Sequence, residues 1–422
     1  MSTLHRKTLP NGLRLQAIEM PNVRSVTTLI LAGAGSRCET YDITGISHFL
    51  EHLFFKGAKK YQTPEAVAEA VDSFGGDFNA FTGKEYAGYY ITSNGKNKEK
   101  AFDILSDMLL HSTFMEPEID RERGVILQEM AMYQDMPRYQ ISWDFERLAL
   151  GDQPLGWDQI GTPEVIKNVT RQQIIDYKNS VYVPENVVIT VAGAVDANTL
   201  DTLAQYFQYG NEKQTAINKP FDADLPTEII NLRTKKTEQY HIALGARAYS
   251  ENHPMYWASR VLATILGGNM SARMFQRIRE QQGLCYSIHT HVDEYTDAGL
   301  ICTSAGVAPD KAMHTIAAIA KEYDGIASAD FTPEEFQKAK NYMLGKLDLR
   351  RDGAYNTAHQ YGASELLYGT IETWDDIEQS ITSVTHDQVA AAAAEIFQRQ
   401  NLRLAGIGKA LDEAAVLEVL RG

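Results

Sequence analysis

The chain has 422 residues, 44% of them hydrophobic and 23% charged, with a formal net charge of -15 at pH 7. That length exceeds a single core and predicts two or three domains, and the composition excludes a chain dominated by disorder. The acidic balance argues against a nucleic-acid partner, no apolar run approaches the roughly 18 residues that span a bilayer, and MSTLHRKTLPNGLRL lacks the features of a secretory signal, so a cytoplasmic protein with no membrane partner is expected.

In chain order, GLRLQAIEM and SVTTLILAGAG read as strands. DITGISHFLEHLFFKG reads as a helix, because Ile46, Phe49, Leu50 and Leu53 recur at three- and four-residue intervals, with Asp42 or Thr44 as cap and Gly57 as terminator. TPEAVAEAVDSFGG is a second helix with Thr63 as N-cap and Pro64 at its first position. DFNAFTGKEYAGYYITS follows as two strands around a turn, helices resume from about Lys98 to Leu150, and ENVVITVAG is one more buried strand. Residues 211–228 are polar, hold two prolines and have no periodicity, which marks a linker.

After the linker the order repeats. YYITSNGKNKEKAFDILSDM resembles LICTSAGVAPDKAMHTIAAI, and STFMEPEIDRERGVILQEM resembles SADFTPEEFQKAKNYMLGKL. The expected fold is therefore α+β, with two homologous α/β-sandwich halves, each a mixed, largely antiparallel sheet packed with helices. The halves are residues 1–210 and 229–422. Cys38, Cys285 and Cys302 are widely spaced and odd in number, and read as reduced, buried small hydrophobes.

The chemistry is concentrated in HFLEH, residues 48 to 52. Four residues apart on a helix, His48 and His52 share a face and can address one cation, with Glu51 beside them. Catalytic zinc generally takes three protein ligands, so a third is needed. The best candidate is Glu129 in RERGVILQEM, 76 intervening residues after His52, on a long helix whose other face is Val125, Ile126 and Met130. Glu122, two turns earlier on the same stripe, is placed to orient a ligand from behind. Either glutamate alone reads as an ordinary exposed helix charge; with HFLEH the preference reverses. Stepping 216 residues on, HFLEH becomes TILGG, and Glu122 and Glu129 become Lys338 and Gly345. The whole set disappears together, so any chemistry belongs to the first copy.

HFLEH is the inverted zinc motif H-x-x-E-H. With Glu129 at this spacing the chain resembles the pitrilysin-type metallopeptidases, or inverzincins, the family of mitochondrial processing peptidase and insulin-degrading enzyme. LPNGLRL, GSRCE at 35–39, GGDFNAFTGKEY at 75–86 and RIREQQGLCYS at 277–287 also resemble that family, in order. The resemblance implies a zinc endopeptidase acting on extended or unstructured peptides. One Zn2+ per chain is held by His48, His52 and Glu129, and Glu51 is the general base on a zinc-bound water. It further implies that Asn79, Ala80, Phe81 and Thr82 form an edge strand that binds substrate by strand addition, and that Arg279 and Tyr286 grip substrate and stabilise the oxyanion. Because one chain carries both the metal set and the Arg279 and Tyr286 pair, a homodimer enclosing a chamber is expected. The alternatives are a non-catalytic partner or scaffold subunit and a metal hydrolase acting on something other than peptides.

Overall fold

The computed structural model of the chain describes residues 2–215, 218–225 and 227–422. Of the expected linker, residues 216, 217 and 226 lie outside the described residues. The apolar runs of the first third are buried along nearly their whole length because both faces of their sheet are covered by helices. The strands are β1 (Thr3–Thr8), β2 (Arg14–Glu19), β3 (Ser25–Ala32), β4 (Asp77–Thr82), β5 (Ala87–Asn94) and β6 (Val187–Gly193), ordered β1-β2-β6-β3-β5-β4. Only β2 and β6 pair in parallel. β1 has no counterpart among the strands anticipated from sequence, because its residues are mostly exposed and it has no apolar face to reveal it.

The second sheet contains β7 (Ile230–Thr234), β8 (Tyr240–Ala248), β9 (Cys285–Glu294), β10 (Gly299–Val307) and β11 (Arg403–Gly408), ordered β7-β11-β8-β10-β9. Its one parallel pair is β7 with β11. Strand for strand this is the first sheet without β1, so the fold is α+β with two mixed, largely antiparallel sheets packed by helices, as the internal repeat predicts.

The helices that matter here are α1 (Ile46–Phe54), α2 (Lys98–His111), α3 (Glu116–Asp135) and α4 (Pro137–Leu150) in the first copy. Their counterparts are α5 (Tyr256–Gly267), α6 (Ala312–Ala327), α7 (Pro333–Arg351) and α8 (Ala354–Tyr368) in the second. Two compact units result, and each gathers three stretches of chain: residues 1–130, 158–219 and 348–374 in one, and 131–157, 220–347 and 375–422 in the other. The units depart from a simple division at the linker because one helix of each copy belongs to the other copy's unit. Helix α8 packs on β3 and β6 within the first unit, and α4 packs on β8 and β11 within the second.

Hydrophobic spacing explains why α4 must cover something: Ile141, Phe145 and Leu148 are buried and join Ala243, Leu300, Ala405 and Ile407 in one core. An arginine ties each exchanged helix to its host sheet. Arg233 on β7 forks onto Asp144 of α4 at 2.9 and 2.6 Å. Arg14 on β2 donates to the Glu365 carbonyl of α8 at 2.7 Å, and Arg6 on β1 pairs with the Glu365 carboxylate. No disulfide is expected and the three cysteines are free; Cys38 and Cys302 are buried, whereas Cys285 is only half-buried.

Candidate metal centre

Helix α1 forms because Ile46, Phe49, Leu50 and Leu53 give it one continuous buried face. His48, Glu51 and His52 lie off that face and remain partly exposed. The helix start differs from the sequence expectation. Neither Asp42 nor Thr44 caps it; Gly45 precedes the first turn at φ 90, and no side chain at that position accepts a hydrogen bond. The acceptor comes from upstream, where the buried Glu39 carboxylate takes the N–H of Gly45 at 2.7 Å and of Ser47 at 2.8 Å.

Helix α3 presents the acidic partners. Ile119, Glu122, Ile126 and Met130 make its buried stripe. Val125, expected on the apolar face, is instead 43% exposed, since the helix packs along a stripe narrower than the apolar residues suggest. His48, His52 and Glu129 offer donor atoms that all lie within 4.8 Å of one another. Glu129 Oε2 stands 3.7 Å from His48 Nε2 and 3.5 Å from His52 Nε2. Two imidazoles and one carboxylate converging in this way fit the donor set of a zinc site with an open position.

Glu122 closes the back of the site. Its Oε2 lies 3.0 Å from His52 Nδ1, which leaves Nε2 of that ring directed at Glu129. Its Oε1 pairs with Lys56 at 2.8 Å. Burial opposes ionisation of Glu122, but His52 and Lys56 outweigh it and hold the carboxyl below its ordinary value. Burial likewise opposes protonation of His52, but the Glu122 and Glu129 carboxylates hold it up at about 9. A proton and a metal therefore compete for His52. Burial pushes His48 the opposite way, helped by His52.

Glu51 turns toward the edge strand, where the Thr82 hydroxyl donates to its Oε2 at 2.6 Å. Burial raises the Glu51 carboxyl above its ordinary value, partly offset by Thr82 and His52. A carboxylate raised in this way is better matched to taking up a proton near neutral pH. Thr82 is thus brought to the site as a partner of Glu51. Asn79, Ala80 and Phe81 lie beside it on β4, the outer strand of the first sheet. The Ala80 N–H is taken at 2.8 Å by the Asn79 side chain, so an edge donor is locally covered.

Arg279 and Tyr286 belong to the second unit. Arg279 sits on a π-helical stretch, Met274–Glu280, a rare geometry that recurs at functional positions. Its guanidinium lies 4.4 Å from the Phe275 ring centroid and 5.7 Å from that of Tyr286, which is 76% exposed at the start of β9. Two residues that shape the site were not assigned a role from sequence: Glu39, which holds the start of α1, and Lys56, which pairs with Glu122; Tyr177 only backs the helix, contacting Ser47 Oγ at 2.8 Å. The GSRCE segment signalled the first of them without disclosing its partner.

Comparison with known proteins shows the family of the chain. Residues 15–156 match the family model for insulinase (peptidase family M16), and residues 168–343 match that for the peptidase M16 inactive domain. The zinc protease YmxG of Bacillus subtilis is 34% identical over 396 residues, 93% of this chain and 96% of that one. The chain belongs to peptidase family M16. A second relative, zinc protease SCO5738 of Streptomyces coelicolor, is 34% identical over 425 residues, covering 98% and 92% of the two chains. Among solved structures, a protease from Helicobacter pylori shares this M16 fold at a TM-score of 0.89 and 21% identity, over 97% of this chain and all of its own. The stretch matching the inactive domain includes Thr264 and Gly268, which stand in the second copy where His48 and His52 stand in the first; Gly345, aligned with Glu129, falls just beyond it.

Proposed function

We propose that this M16 chain is a zinc-dependent endopeptidase that hydrolyses extended or unstructured peptides. The observation that carries the reading is the convergence of His48, His52 and Glu129 beside a raised, Thr82-bonded Glu51. His48, His52 and Glu129 hold one zinc ion per chain, and Glu122 orients His52. Zinc bound there supplies a Lewis acid that makes water more acidic and a peptide carbonyl more electrophilic near neutral pH. Glu51 takes the proton of the attacking water at its carboxylate and returns it to the leaving amine. Asn79 to Thr82 receive the substrate as an added strand along β4, which aligns the scissile bond with α1. Ordering by main-chain hydrogen bonds explains the preference for chains with no structure of their own. No helix among the described residues is long and apolar enough to cross a membrane, and the cytoplasm is the proposed compartment.

The test is Glu51→Gln. The variant keeps zinc at one per chain and loses about 10²-fold or more of the rate on an unstructured peptide, the scale of general-base assistance. Stoichiometric metal with an unchanged rate would refute the role of Glu51. Wild-type cleavage that survives a chelator would remove the metal reading itself.

Assembly is the second part of the proposal. Two chains form a dimer around a chamber, and Arg279 with Tyr286 of one chain serves the metal centre of the other. Exposure of Tyr286 and the presence of both residue sets in one chain support this arrangement. Chains carrying Glu51→Gln and Tyr286→Phe, each weak alone, regain activity when mixed under exchange, because a mixed dimer holds one intact site. Exchange demonstrated by mass without a gain in activity overturns the trans arrangement.

A further inference from the structure

We propose that Glu39 is a positioning residue of the metal centre: its buried carboxylate fixes the first turn of α1, and through that turn sets the aim of His48. The inference rests on the reading that His48 and His52 hold the metal. The two histidines are oriented by different means. His52 is held through its side chain, with Nδ1 against Glu122. His48 has no such support: its Nδ1 is buried and meets no protein hydrogen-bond partner among the described residues. Its direction is therefore inherited from the backbone that carries it, and it is the third residue of a nine-residue helix.

That backbone is poorly secured by local means. A helix of this length is marginal by itself, and its first four N–H groups have no partner within the helix. Gly45 brings flexibility and no side-chain cap. Glu39, wholly inaccessible to solvent, supplies what is missing by accepting two of the first-turn N–H groups, from Gly45 and Ser47. Charge-assisted bonds of this kind are roughly twice as strong as neutral ones, and a negative group at a helix start is favoured by the helix dipole. A carboxylate accepts with two oxygens at once; a carboxamide of the same shape accepts with one and turns an N–H donor toward the other amide. Glu39→Gln therefore changes the hold on the first turn with almost no change in volume.

Three measurements on the full-length, zinc-loaded chain, made near pH 8 where the Glu39 carboxyl is ionised, test the assignment. Zinc affinity is read by competition with a chelator, the geometry of the site by the visible spectrum of the cobalt-substituted protein, and folding by the thermal midpoint. Glu39→Gln lowers zinc affinity about 10–100-fold, as loss of a residue behind a ligand typically does, and alters the cobalt bands. Tyr177→Phe is the control. It removes an equally buried hydroxyl from the Ser47 side chain, lowers the thermal midpoint, and leaves zinc affinity within about 2-fold, since it leaves both Glu39 bonds in place. Equal losses of affinity in the two variants, or none in Glu39→Gln, overturn the proposal. If Glu39→Gln does not fold, hydrogen exchange in the wild-type chain decides: the Gly45 and Ser47 amides are protected if the carboxylate holds them, and rapid exchange there refutes it. A wild-type chain without stoichiometric zinc would instead refute the metal reading on which the proposal stands.

Discussion

The first sheet and the second carry the same five strands in the same order, but their site helices approach their edge strands differently. In the first copy a carboxylate fits between helix and strand, with Glu51 reaching Thr82 on β4 at 2.6 Å. In the second copy Gly267 occupies the position aligned with Glu51. A Cβ there would lie 2.4 Å from Thr290 Oγ1 and 2.6 Å from Thr290 N on β9. The helix rests against the strand with no room for any side chain. The second copy has therefore lost more than its ligands: the gap that a metal, a base and a substrate strand would share has closed, and α5 is almost wholly buried in consequence.

The largest effect that bears on this contrast is at the metal itself. Glu129→Ala converts the first copy to the state of Gly345 in the second. It lowers zinc affinity by more than the roughly 10–100-fold expected for a residue that only supports a ligand. Metal analysis after dialysis checks this, and full occupancy would mean that another group completes the set.

A second contrast lies at the helix starts. Helix α5 begins at Met255 with no side-chain cap, whereas α1 begins on Glu39, whose carboxyl burial raises from 4.5 to about 7 against the pull of the Ser47 and Gly45 amides. The folded chain thus binds this proton more tightly than the unfolded chain does. Stability is greatest below pH 4.5 as far as this group is concerned and falls as pH rises toward 7, by up to about 3 kcal/mol. Urea unfolding between pH 5 and 7.5, followed by amide exchange in the first unit, should show that slope, and Glu39→Gln should flatten it.

The smallest of these effects concerns the closed gap. Gly267→Ala places a methyl group against Thr290 and costs about 1–3 kcal/mol of stability, the usual scale for overpacking. Zinc affinity stays at the wild-type level, because the substitution lies in the copy without metal donors. A variant as stable as the wild type would mean that the second copy retains slack, and the contrast would reduce to ligand identity.

Much of the site was legible from sequence because its signals are local. His48 and His52 share a helical face by spacing alone, and Glu122 and Glu129 share a stripe in the same way. The strands were readable where burial on both faces demands continuous apolar residues, as in β3 and β6, and unreadable in β1, where it does not. What escaped was non-local. The nearest capping residues, Asp42 and Thr44, look sufficient in the sequence, and only folding brings Glu39 back to the helix start. Likewise the stripe of Ile141, Phe145 and Leu148 announces a helix that must bury a face, but nothing in it names the sheet that will receive it.

The exchange of α4 and α8 has a consequence for how such a chain can be divided. Separated between residues 219 and 220, each fragment would contain a helix whose core lies in the other fragment and a sheet missing one of its covers. Neither piece could exclude water from its own sheet, and each would hold the other's missing part. Fission of the gene at that point would thus yield two polypeptides that fold only upon meeting, an obligate heterodimer created with no new interface.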